Sequence, residues 1–205
     1  MKKTTYLLVI ITFLLIWIII TPSCKKEDSN NNDDPDTTTY FTFGQIGNQW
    51  TLRIYDNPVT CEYTCEITGD HGDGVFDILY KEGNCDWNPE TRPGYFYLTP
   101  VEWREMFDEN SEHGITLLRR DALVGTTYQY VDTHDTIIVT VIDLNDKVSV
   151  PAGEFNCVKV RKEGRIHSSY EYTYEAYYWI NYKYGLIKIE TIYGTWDQEL
   201  VSANW

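Results

Sequence analysis

The sequence is short of positive charge. Seventeen lysines and arginines stand against 31 aspartates and glutamates, a formal net charge of −14 over 205 residues. Nucleic-acid binding needs clustered Lys and Arg to replace counterions, and adhesion to anionic headgroups needs them too. Neither partner is expected, and solubility alone accounts for the acidity. Histidine is also scarce, with four scattered residues. No Cys-x-x-Cys pair occurs, so the ligand spacing of a zinc site is missing. A serine nucleophile is not signalled, since there is no Gly-x-Ser-x-Gly elbow. Glu171 and Glu175 would share a strand face about 13 Å apart, beyond the roughly 6.5–9.5 Å of an inverting glycosidase. The stretch Gly69–Asp77 is dense in acids, but the twelfth position counted from Asp70 is Lys81, where a calcium-binding EF-hand needs glutamate. That stretch reads as a hairpin loop, and His134, between Thr133 and Asp135, reads as a turn residue. These absences lead to the expectation of a non-enzyme, with no cofactor and no metal.

A long hydrophobic run is missing as well. The apolar stretch from Tyr6 to Ile20 is interrupted by Thr21 and Pro22 before it reaches the roughly 20 residues that cross a bilayer. Lys2 and Lys3 precede it and small residues follow, which is the build of a secretory signal. Ser23-Cys24 after the apolar run resembles the lipobox of bacterial lipoproteins, departing from it at Thr21, where leucine is usual. Lys25-Lys26-Glu27-Asp28 is similar to the export signal of Bacteroidota surface lipoproteins. The resemblance implies that residues 1–23 are removed, that Cys24 is the lipid-attachment residue, and that the protein sits on the bacterial outer membrane through this anchor. Removal would leave 15 basic residues against 31 acidic, a charge of −16. Residues 24–39 are charged and Asn-rich, too polar to offset the entropy of ordering. They read as a tether spanning roughly 20 Å.

From Tyr40 to Trp205 one β-rich domain is expected. Alternating runs rich in Tyr, Thr, Val and Ile mark candidate strands at 50–55, 60–68, 75–80, 95–98, 127–132, 136–144, 154–162, 167–180, 186–192 and 196–201. Gly69–Gly74 and Asn145-Asp146-Lys147 carry turn chemistry, and connections this short imply antiparallel pairing. Thr99-Pro100-Val101-Glu102 has the form of a capping box with proline at the first helical position. Trp103, Met106 and Phe107 follow at i, i+3 and i+4. This predicts one short helix ending near Asp108–Asn110, either a lid over a curved sheet or a connector at its edge. There is also an internal echo. Phe43-Gly44-Gln45-Ile46-Gly47-Asn48-Gln49-Trp50-Thr51-Leu52 resembles Ala122-Leu123-Val124-Gly125-Thr126-Thr127-Tyr128-Gln129-Tyr130, each with a glycine shortly before an aromatic that opens a strand. Two copies would mean two half-sheets in sequence.

Val150-Pro151-Ala152-Gly153-Glu154-Phe155-Asn156-Cys157-Val158-Lys159-Val160, with Tyr178-Trp179-Ile180 and Tyr184–Lys188, resembles a pattern of uncharacterised envelope lipoproteins. Their domains are similar to the half-barrel of lipoprotein carriers. The fold expected is therefore mainly β, a single antiparallel curved sheet, half-barrel or lipocalin-like, with one short helix. Among the cysteines, Cys61 and Cys65 lie about 13 Å apart along one strand, too far for a disulfide. A hairpin at 69–74 favours Cys61–Cys85, with Cys157 a buried free thiol. The abundant feature is aromatic: 17 tyrosines and seven tryptophans. Tyr170, Tyr172, Tyr174 and Tyr178 fall on one strand face. Tyrosine joins an apolar body to a polar tip, which suits a lipid or glycan, although large aromatics also simply build strands. With Trp103 and Phe107 these residues are the candidate lining of a site for a hydrophobic or amphipathic ligand. A structural or interaction protein of the cell envelope is the competing expectation.

Overall fold

A computed structural model of the chain describes residues 41–56, 59–81, 93–108, 114–132, 135–167, 171–192 and 196–204. The chain divides at Thr37/Thr38, and the described residues all belong to the second unit. Twelve strands follow one another: β1 (Gln49–Asp56), β2 (Val59–Asp70), β3 (Val75–Lys81), β4 (Pro93–Thr99), β5 (Glu102–Met106), β6 (Gly114–Arg119), β7 (Thr127–Val131), β8 (Asp135–Val150), β9 (Gly153–His167), β10 (Glu171–Asn181), β11 (Gly185–Thr191) and β12 (Asp197–Ala203). They form one antiparallel sheet in the order β6-β5-β4-β3-β2-β1-β12-β11-β10-β9-β8-β7. Two six-stranded meanders thus lie side by side, joined where β1 pairs with β12 from Trp50↔Ala203 to Tyr55↔Asp197.

The sheet curls until β6 and β7 approach, giving a nearly closed barrel. No backbone ladder joins these two strands. Side chains span the gap instead. The Arg119 N–H donates to the Tyr128 hydroxyl at 3.1 Å, and the rings of Phe107 and Tyr130 lie 4.9 Å apart. Alternation fills the interior as period-two strands require: Ile137, Val139 and Val141 of β8 are buried, and so are Val158 and Val160 of β9. These join Ile67, Ile115, Leu118 and Ile180 in one core cluster, each side chain contributing about 1.5–3 kcal/mol by burial. A second cluster unites Leu52, Val148, Val150, Cys157, Trp179, Ile187 and Leu200. It forms where the long β8–β9 hairpin reaches β12, the Ala152 N–H donating to the Leu200 carbonyl at 3.1 Å.

The echo in the sequence is a repeat in the fold. Gly47 and Gly125 adopt φ of 90° and 89°, a region glycine enters without the penalty a Cβ brings. Gly47 N–H donates to Ile67 O and Gly125 N–H to Val141 O, both at 2.8 Å. Ile67 and Val141 in turn donate to Asn48 O and Thr126 O at 3.0 and 2.9 Å. Each glycine turn therefore clips the start of its half, β1 or β7, to the next strand.

No helix occurs among the described residues. The predicted one over 99–110 is replaced by a turn and β5. Thr99 Oγ1 does accept from the Glu102 N–H at 3.1 Å, as a helix cap would. Here that bond closes the hairpin, with Thr99 opposite Glu102. Ser/Thr-to-backbone bonds serve turns as readily as caps. Trp103 and Met106 are both buried although they lie three residues apart in a strand paired in regular register with β4, and that spacing mimics a helix. Two further boundaries move. Asn145–Lys147 is not a turn but part of β8, which tolerates polar residues there because its register shifts between Asp143 and Asp146. The single strand expected over 167–180 is the end of β9 followed by β10.

Candidate functional site

A cavity of about 300 Å³ lies inside the barrel, its wall drawn from both halves: β1 to β6 on one side, β10 to β12 on the other. The alternation that builds the core also aims these residues inward. Trp50 and Leu52 come from β1, Tyr63 and Cys65 from β2, Ile78 and Tyr80 from β3, Phe96 from β4, and Trp103 and Glu105 from β5. Tyr178, Leu186, Ile189 and Gln198 face them. Phe43, just before the first glycine turn, adds a ring 5.0 Å from Trp103 and 5.8 Å from Phe96. It is held there because the Thr42 N–H donates to Tyr182 O and Asn48 Nδ2 to Phe43 O at 2.8 Å.

The polar groups of this interior are few. Tyr63 donates its hydroxyl to Gln198 Oε1 at 2.8 Å. Lys162 of β9 is 6% exposed, the one buried charged residue among those described. It pairs with Glu105 of β5 across the interior, behind the gap between β6 and β7. Tyr174 and Tyr178 flank the ammonium, with ring centroids 5.9 and 5.6 Å from Nζ. Burial alone would lower the lysine pKa, but the carboxylate of Glu105 more than offsets it and the net shift is upward. Burial likewise raises the phenols of Tyr63 and Tyr80 above the ordinary value, and that of Tyr178 to about 12. The Cys65 thiol is also pushed well up by burial. At neutral pH the site therefore presents neutral hydroxyls, a neutral thiol and one ion pair.

The structure brings together some of the residues singled out in the sequence and not others. Trp103 and Tyr178 line the cavity. Tyr174 lies beside it over Gly164, where an added Cβ would sit 2.0 Å from the Tyr174 ring. Phe107 does not line the cavity: it is 49% exposed at the end of β5, against Tyr130. Tyr172 belongs to β10. Tyr170, Cys24, Cys85 and His134 lie outside the described residues. Cys61 is disulfide-bonded, whereas Cys65 and Cys157 are buried free thiols, the latter with its pKa raised to about 12 by burial and by Asp146. In the 69–74 hairpin, acids serve the turn: Asp70 Oδ1 accepts from the Gly72 N–H at 2.7 Å and Asp77 Oδ1 contacts His71 Nε2 at 2.8 Å. Among the described residues no group of three or more His, Cys, Asp or Glu is placed to hold a metal.

Glu105 and Lys162 were not singled out by sequence reasoning. A signal did exist for Lys162, which shares the parity of Val158 and Val160 along β9 and so must point inward with them.

No protein-family model matches the chain, and no curated protein matches it. Two solved structures share its fold. One, from Bacteroides fragilis NCTC 9343, is provisionally described as an exported protein with a YmcC-like fold. It has a TM-score of 0.55 at 13% identity over 81% of this chain and 99% of that one. The other, from Parabacteroides distasonis ATCC 8503, is provisionally described as a lipoprotein, with a TM-score of 0.51 at 15% identity over 82% and 100%. At such identity the likeness establishes the fold alone.

Proposed function

We propose that the protein is a lipoprotein of the bacterial cell envelope whose barrel interior holds a hydrophobic or amphipathic ligand. The observation that carries the reading is the cavity of about 300 Å³ between the two halves, walled by aromatics. Ligand sites are typically concave, mostly apolar and about this size or larger, with few polar groups. The Cys24 anchor rests on the lipobox resemblance and is supported by the descriptions of the two structural neighbours, one exported and one a lipoprotein. An outer-membrane location, the Cys61–Cys85 pairing and roles for Tyr170 and Tyr172 at the cavity belong to the same proposal. A scaffold without a ligand is the competing reading. It draws on Ile46, Leu123 and Val124, which are 62–70% exposed in the two equivalent glycine turns and would suit a protein partner.

Native mass spectrometry of the full-length protein purified from membranes tests the first reading. A retained small molecule, lost on denaturation, is the expected result, and a consistently empty protein would leave the scaffold. Cys24→Ala should move the protein out of the membrane fraction, and persistent tight association would reject the anchor.

A further inference from the structure

Taking the cavity to be a binding site, as proposed above, we infer that it selects ligands whose polar end donates hydrogen bonds (a hydroxyl, amide or ammonium) and disfavours carboxylates and phosphates. Few polar atoms lie within a guest's reach. Lys162, paired with the lining residue Glu105, is 6% exposed and is not itself part of the cavity wall. It is enclosed by Glu105, to which it donates, and by Tyr174 and Tyr178, whose hydroxyls lie within its reach as acceptors. An anionic headgroup would have to displace Glu105 to use that charge.

Glu105 has the opposite disposition. It lines the cavity, and its side chain is 46% exposed. Only Oε2 is committed to Lys162, and Oε1 has no partner among the described residues. Among the residues lining the cavity it alone carries a formal charge. Its strand neighbours Phe96 and Ile115 offer no competing donor. Tyr80 supplies a second reachable group, a hydroxyl with no partner among the described residues. The Tyr63 hydroxyl is already spent on Gln198. A guest therefore meets an anionic acceptor and a phenol at one place, with Trp50, Ile78, Phe96 and Leu186 around its apolar body. A hydroxyl or ammonium can donate to Oε1. A carboxylate brought to Oε1 meets like charge, and taking up a proton removes that repulsion.

Three eight-carbon probes that differ only in their ends test this by calorimetric titration of the wild-type full-length protein: n-octylamine, 1-octanol and octanoate. At neutral pH the amine and the alcohol should bind at least about tenfold more tightly than octanoate, roughly 1.4 kcal/mol. Lowering the pH toward about 4.5, where free carboxylates take up protons, should bring octanoate close to octanol. Octanoate binding as tightly as octanol at neutral pH, or showing no gain on acidification, would overturn the inference and leave the cavity reading standing. Failure of all three probes would overturn the cavity reading itself, and the inference with it. Glu105→Gln, checked for an intact fold by its melting curve, should narrow the gap between octanol and octanoate to under about threefold. A gap that stays at tenfold in the folded variant would assign the selectivity elsewhere and count against Glu105. Should that variant not fold, the wild-type pH series decides alone.

Discussion

The two seams of the barrel are equivalent positions of one repeat, and they are closed by different means. Where β1 meets β12 a backbone ladder runs from Trp50 to Tyr55, with Leu52 and Leu200 2% and 1% exposed against it. Where β7 meets β6 the same two edges come together without a ladder. The Arg119 N–H that could have joined a carbonyl goes to the Tyr128 hydroxyl, Phe107 leans on Tyr130, and Lys162 reaches Glu105 behind them. The first seam is held by many hydrogen bonds and apolar burial. Across the second, among the described residues, side-chain contacts and a shared apolar core join β6 to β7 and β8 in place of a ladder. A repeat that could close twice closes once, and its buried ion pair lies at the side left open.

Substitutions at the two seams should differ in what they cost. Leu200→Ala removes a fully buried side chain at the laddered seam and should cost about 4 kcal/mol in denaturant unfolding. A loss under about 1 kcal/mol would mean that this seam is not packed as described. Glu105→Ala strands the buried ammonium of Lys162 and should cost about 3 kcal/mol, the low end for a broken buried pair because Tyr174 and Tyr178 still face the charge. Lys162→Met should cost less, since the carboxylate it leaves unpaired is half exposed; equal losses would show that burial does not distinguish the partners. Gly47→Ala and Gly125→Ala meet nothing within 4 Å, so only the positive φ is penalised. Each should lose about 1–2 kcal/mol, and unequal losses would argue against equivalent turns in the two halves.

The smallest effect concerns acid. Glu102 accepts from Arg104 Nε and Thr116 Oγ1, both at 2.8 Å. Burial works to raise its pKa, but these bonds outweigh it and hold the carboxyl below the usual value. A folded pKa below the unfolded one gives stability that is present above the unfolded value and disappears as pH falls through the folded one. Thr116→Val should therefore lower stability at neutral pH and make acid unfolding less steep between about pH 5 and pH 3. An unchanged pH profile would rule out that contribution.

Much of the sheet was legible because its strands alternate cleanly. Ten of the twelve strands have counterparts among the alternating runs, and the echo around Gly47 and Gly125 foretold the two halves. β5 and β6 were not legible, for local reasons. Thr99 makes the same hydrogen bond in a turn as in a helix cap. The register shift that places Leu117 and Leu118 both inside erases alternation from β6. Half of the ion pair was hidden with β5. The other half sat among Arg161, Glu163 and Arg165, where a charged strand reads as solvent-facing. Tyr178 was found through the parity of an aromatic strand, and Trp103 through a helical stripe that also drew in Phe107. Phe107 shows the cost of that.

Amide hydrogen exchange reports the difference between the two seams most directly. The β1 and β12 amides across the laddered seam should exchange only through global unfolding. Amides of β6 and β7 that face the gap, Arg119 apart, should exchange at least about a hundredfold faster. Equal protection at both seams would mean the barrel is fully hydrogen-bonded, and would contradict the account of a repeat closed by a ladder on one side and by side chains on the other.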